Sequence, residues 1–109
     1  MVVKKPSIFI YTEEPNPEVQ KEICAGIEEE GVFYEIHKEM KSDVRKLAYR
    51  AAQDSILGSG VGICGAKIAF TMRGLKEENC VEYYEKPDAG QSRKLGANSA
   101  RAIKKQPLR

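Results

Sequence analysis

At 109 residues and 12.2 kDa the chain has room for one modest hydrophobic core over residues 1–109, which excludes a self-contained multidomain enzyme. Hydrophobic residues at 41% and charged residues at 31% exclude both a disordered chain and a membrane-embedded one. The net charge of +2 is too small to imply a nucleic-acid or anionic-membrane partner by itself.

The first apolar run, Ser7-Ile8-Phe9-Ile10-Tyr11, is bounded by Pro6 and by Glu14-Pro15-Asn16-Pro17, and predicts a buried first strand. A helix follows, capped by Asn16 with Pro17 at its first position, where a missing amide hydrogen loses no partner. Val19, Ile23 and Ile27 form its buried stripe and Gly31 ends it. Val32 to His37 reads as the second strand. Ser42 and Asp43 open a second helix whose buried face is Val44, Leu47, Ala48, Ala51, Ala52 and Ser55. Gly60 to Cys64 reads as a central third strand, Ile68 to Met72 as a fourth and Cys80 to Tyr84 as a fifth. Gln91 to Gln106 makes the last helix, with Leu95, Ala102 and Ile103 inward and Pro107 ending it.

Strand, helix, strand, helix, strand predicts an α/β layered sheet with parallel strands and right-handed crossovers. Too few residues separate the third and fourth strands for a crossover, so the fourth is expected to return antiparallel. The longest uncharged stretch, 12 residues from Ser55 to Ala66, contains four glycines, whereas a membrane-spanning helix needs about 20 apolar residues. Lys4 and Lys5 precede no apolar run, so no secretory signal is visible and the cytosol is the expected compartment.

Gly60-Val61-Gly62-Ile63-Cys64-Gly65 matches G-x-G-x-x-G. A dinucleotide site needs those glycines between a strand and a helix, and here they follow a helix and occupy the strand itself. Close packing of a helix against the glycines is the competing reading. Cysteines 24, 64 and 80 fit neither a disulfide framework nor a paired metal motif, and are expected to be reduced and structural. One histidine, His37, cannot build a multi-histidine zinc site. Nor does a local signature pair it with a cysteine as a catalytic couple. Tyr34, Tyr49, Tyr83 and Tyr84 read as core and rim residues. The residues favour a protein that binds over one that reacts.

Glu28-Glu29-Glu30 places three carboxylates at the C-terminal turn of the first helix, where the dipole disfavours each by roughly 0.3–1 kcal/mol. Either they are solvated, or one meets a cation: a Mg²⁺, which takes oxygen ligands, or an arginine of a partner chain. From Gln91 to Arg109 there are six basic residues, Arg93, Lys94, Arg101, Lys104, Lys105 and Arg109, and no acid. A solvated helix end and a partner surface both account for that segment.

Cys24-Ala25-Gly26-Ile27-Glu28-Glu29-Glu30-Gly31-Val32, Ala51-Ala52-Gln53-Asp54-Ser55 leading to Gly60-Val61-Gly62-Ile63, and Gly96-Ala97-Asn98-Ser99-Ala100-Arg101 with Pro107-Leu108-Arg109 together resemble the small (beta) subunit of the diol and glycerol dehydratase reactivating factors. The resemblance runs from Pro6 onward. Family members often show G-N-N-A-A-R in the last helix, from which Ala97 and Ser99 depart.

The resemblance implies a three-layer, anticodon-binding-domain-like fold with sheet order 2-1-3-4-5 and strand four antiparallel. It implies a non-catalytic subunit that partners a large ATPase subunit, which carries the ATP. By subunit exchange this small chain occupies a surface on the adenosylcobalamin-dependent dehydratase, so that damaged cobalamin escapes. It also implies that Glu29 meets a Mg²⁺ at the large-subunit interface, with no cofactor intrinsic to this chain, and a cytoplasmic or microcompartment setting. Glu28, Glu29, Glu30, Arg93, Arg101 and Lys104 are the expected partner-binding residues. Two other functions compete: a medium or small structural subunit of the dehydratase itself, and a nucleotide- or RNA-binding module suggested by the fold and the basic last helix. Dehydratase subunits generally carry additional N-terminal sequence, whereas the first strand here begins within ten residues.

Overall fold

Ile8–Glu13 forms β1, followed by α1 (Pro17–Glu29), β2 (Tyr34–Lys38), α2 (Val44–Asp54), β3 (Ser59–Cys64) and β4 (Lys67–Met72). A 3-10 turn over Glu77–Asn79 leads to β5 (Glu82–Tyr84) and α3 (Ala89–Ile103). The structure is a computed structural model and describes residues 5–105 and 108. The five strands make one sheet in the order β2-β1-β3-β4-β5. β1 lies parallel to β2 and β3, and β4 runs antiparallel to both of its neighbours, as the short connection between β3 and β4 predicts.

The layers follow from the strand alternation. Ile8, Ile10, Val61, Ile63, Ile68 and Phe70 point to one face, where Val19, Ile23 and Ile27 of α1 and Leu95 and Ala100 of α3 complete the main core. On the other face Leu47 and Ala51 of α2 pack with Tyr11, and Val44 and Ala48 with Ala69. The glycines of β3 bring α2 down onto the sheet. A β-carbon at Gly60 would lie 2.1 Å from the Ala52 amide nitrogen, and one at Gly62 would lie 2.4 Å from the Val44 carbonyl oxygen. Close helix packing, not a phosphate turn, explains the G-x-G pattern.

The predicted caps form. Asn16 Oδ1 accepts from the amides of Glu18 at 3.0 Å and Val19 at 3.2 Å, Asp43 caps α2, and Gly31 leaves α1 with φ +73°, a conformation that glycine adopts without penalty. Several boundaries differ. α3 starts at Ala89 because Asp88 and Gln91 form a reciprocal capping box, two residues before the predicted start. β5 begins at Glu82, with Cys80 serving as the cap of the 3-10 turn before it, and β2 begins at Tyr34 instead of Val32. Pro107, predicted to end the last helix, lies outside the described residues, where α3 is already complete at Ile103.

Candidate partner-binding site at the exit of the first helix

α1 and α3 cross on the same face of the sheet at backbone contact. A β-carbon at Gly26 would lie 2.1 Å from the Arg93 carbonyl oxygen, and one at Gly96 would lie 2.1 Å from that of Ile23. This reciprocal glycine contact sets the acidic end of α1 against the basic face of α3. Arg93 reaches Glu22 at 3.0 Å and Glu29 at 3.2 Å. Arg101 Nε donates to Glu30 Oε2 at 3.2 Å, and Lys104 Nζ contacts Glu30 Oε1 at 3.1 Å. The Lys104 ammonium also donates to the Glu30 main-chain oxygen at 2.8 Å, so it neutralises the helix end directly. Glu28 accepts from the Tyr34 hydroxyl at 2.8 Å. That bond, reinforced by burial, holds the Tyr34 phenol above its ordinary pKa.

The three glutamates therefore have distinct environments. Glu30 is the buried one, with its side chain 8% exposed. Glu29 and Arg93 remain 43% and 45% exposed. Cations from this chain's own α3 and its cap offset the unfavourable helix end, a source that the sequence reading did not include beside solvent, metal and a partner's arginine. While Glu28 turns to Tyr34 of β2, five of the six predicted partner-binding residues pair at this crossing, Glu29 and Glu30 with Arg93, Arg101 and Lys104. Beside it, Glu28, Gly31, Val32, Phe33 and Tyr34 line a shallow groove. Phe33 is 54% exposed and carries the Lys5 ammonium 4.5 Å above its ring. Sequence reading assigned Val32 and Phe33 to a strand and so missed their place in the groove. It also missed Glu22, whose partner lies 71 positions away.

Elsewhere the geometry offers less. In an open α/β sheet, ligands collect where the strand order reverses, at the carboxyl ends of β1 and β3. Here main-chain bonds from Asn16 N to Gly65 O at 2.8 Å and from Gly65 N to Glu13 O at 3.1 Å tie the loop after β1 to the turn after β3, and the groove beside them is lined by Thr12, Glu13 and Lys38. Cys24, Cys64 and Cys80 are free thiols, each raised in pKa chiefly by burial. His37 packs against Phe9 and Tyr11 with ring centroids 5.0 and 5.8 Å away, and its Nε2 lies 3.1 Å from Glu35. Among the described residues no group of three or more His, Cys, Asp or Glu side chains converges to hold a metal ion, and no helix is long and apolar enough to cross a membrane.

The profile of the dehydratase medium subunit family matches residues 5–109. The chain belongs to that family. Among solved structures, this dehydratase medium subunit family member superimposes on a chain of "Structure of diol dehydratase-reactivating factor complexed with ADP and Mg2+" with a TM-score of 0.89 and 25% identity, over 97% of this chain and 99% of that one. It superimposes on a chain of "Glycerol dehydratase reactivase" with a TM-score of 0.91 and 26% identity, over 96% and 97%. No curated protein matches the sequence. The family resemblance read from the three sequence segments is thus supported at the level of the dehydratase and its reactivating factors, and the fold is theirs.

Proposed function

We propose that this chain is the non-catalytic small subunit of a dehydratase-reactivating factor, which frees damaged cobalamin from a diol or glycerol dehydratase by ATP-dependent subunit exchange. One observation carries the reading: the chain matches reactivating-factor chains end to end while its family profile is that of a dehydratase subunit. A subunit that replaces another on a shared partner must be built like it, and this double likeness is what exchange requires. The large ATPase subunit is then one partner and the dehydratase the other, with nucleotide on the large subunit.

The partner surface is the exit of α1 with its flanking groove. Arg101 and Lys104 pair with the buried Glu30 and hold the crossing, whereas Glu29 and Arg93, paired with each other but about half exposed, and the exposed Phe33 can meet a partner. Glu29 suits a shared Mg²⁺ as one hard oxygen donor. Mg²⁺ is commonly held by one or two carboxylates with water completing the shell, so the other ligands come from the partner and solvent. When bound, the ion would supply a charge bridge between the two chains. Glu29→Gln is expected to weaken the complex with the large subunit and to reduce its Mg²⁺ dependence, read by titration calorimetry with and without chelator. Equal affinity in all four conditions rejects the role.

The second reading, a structural medium subunit of the dehydratase itself, is favoured by the family profile. Gel filtration with each candidate separates the two. A stable complex with the ATPase subunit supports the reactivase role, and one with dehydratase subunits alone supports the other.

A further inference from the structure

The two edges of the sheet are unequal: β5 has three residues, and β2 has five, Tyr34 to Lys38. Ile8 N donates to Phe33 O at 2.9 Å and Glu39 N to Thr12 O at 2.8 Å. Strand alternation therefore turns the main-chain groups of residues 33, 35, 37 and 39 toward β1, and those of Tyr34, Ile36 and Lys38 outward. Among the described residues no strand pairs this outer side. Native edges are usually blunted by shortness, proline, bulges or inward charge. β2 carries no proline and ends in a single lysine, and Ile36 at its centre is 40% exposed.

We propose that this edge binds a second copy of the chain, β2 pairing antiparallel with β2 about a two-fold axis at Ile36, to make a continuous ten-stranded sheet. The sequence of the strand is complementary to its own reverse. In that register Ile36 faces Ile36 of the second copy, Tyr34 faces Lys38, Glu35 faces His37, and beyond the strand Val32 faces Met40. Apolar residues meet at the axis and at both ends, acid meets imidazole, and an aromatic ring meets an ammonium stem, each a favourable cross-strand pairing. The register also pairs outward groups only with outward groups: 34 with 38 and 36 with 36, all hydrogen-bonded pairs. A slip by one residue would pair outward-facing groups with groups already bonded to β1, and so break the ladder. Phe9 and Tyr11 hold the His37 ring from β1, on the face where it would meet Glu35 of the other copy. Since α2 packs on β1, β3 and β4, the interface is one strand deep. It belongs with the small, transient contacts.

Sedimentation equilibrium of the full chain is expected to show a mass rising from 12.2 kDa toward twice that, with a Kd of roughly 10–500 µM. Amide exchange followed by NMR is expected to gain protection with concentration at Tyr34, Ile36 and Lys38 and to leave Glu35 and His37 unchanged. Ile36→Pro removes the central intermolecular donors without touching the ladder to β1, and is expected to weaken association at least tenfold. The double variant Glu35→Lys with His37→Lys opposes like charges in its own dimer, and so does His37→Glu. Each alone is expected to stay monomeric, and an equimolar mixture to associate. A wild-type chain that remains monomeric at about 1 mM, where contacts worth about 4 kcal/mol are half formed, overturns the proposal. So does protection that rises equally along the strand.

Discussion

A methyl group at Gly60 meets the backbone of α2 at 2.1 and 2.4 Å, on Ala52 N and Ala48 O, neither of which can turn aside as a side chain can. Gly60→Ala is expected to destabilise the fold by at least about 1–3 kcal/mol, the usual range for overpacking. Gly90→Ala meets only Asp88 Oδ1 at 3.4 Å and is expected to be neutral or stabilising by up to about 1 kcal/mol through the entropy of the unfolded chain. Urea denaturation of both variants checks the contrast. Two phenols add a pH dependence. Tyr11, buried and hydrogen-bonded to Asp54, and Tyr34, bonded to Glu28, are both raised above the ordinary 10.0. Above pH 10 the unfolded chain therefore holds fewer protons than the folded one, and stability, fully present below pH 10, falls as pH rises through the folded values. Tyr34→Phe is expected to flatten that alkaline slope in urea melts taken from pH 8 to 11. At this scale the caps were readable from sequence because Asn16, Asp43 and Gly31 act on amides and dihedrals a few positions away. The burial of Glu30 was not, since its partners lie 71 and 74 positions along the chain.

The α1–α3 pair behaves as one unit, fixed by Gly26 and Gly96 and tied by charge at the exit of α1. Its two ion-pair clusters differ in exposure, and exposure decides what each contributes. Arg93 and Glu29 sit largely in water, and such pairs contribute about 0–1 kcal/mol. Glu30 is buried, and removing Arg101 leaves a carboxylate with less to offset its lost hydration. Arg101→Ala is expected to destabilise by about 1–3 kcal/mol and Arg93→Ala by less than about 1 kcal/mol, with only the second difference shrinking in 1 M salt. Equal losses for the two variants would contradict this assignment. The helices were legible because their burial repeats at about 3.6 residues, and the central strands because burial on both faces leaves short runs poor in charge. The crossing of α1 and α3 was not, because it depends on where the sheet sets two helices far apart in sequence. Gly96 marked it only as part of a motif, and Asn98, whose side chain donates to Glu82 beneath α3, gave no separate signal.

For the molecule as a whole, a sheet with helices on both faces and a charged crossing beside an exposed phenylalanine describe a body that presents a surface. The reversed fourth strand was legible from the short β3–β4 connection, whereas the sheet order came from the family resemblance. The functional class came from the family's segments, since no local chemistry pointed to a reaction. The proposed exchange uses one surface for two partners, so the large subunit and the dehydratase are expected to compete for a single copy of this chain. The central claim is tested most directly by reactivation of a cyanocobalamin-inhibited dehydratase with the large subunit, ATP and Mg²⁺, with and without this chain. The account predicts that activity returns only when the chain is present, and that added adenosylcobalamin then sustains it. Full reactivation by the large subunit alone, with the chain found instead as a fixed component of active dehydratase, would contradict it.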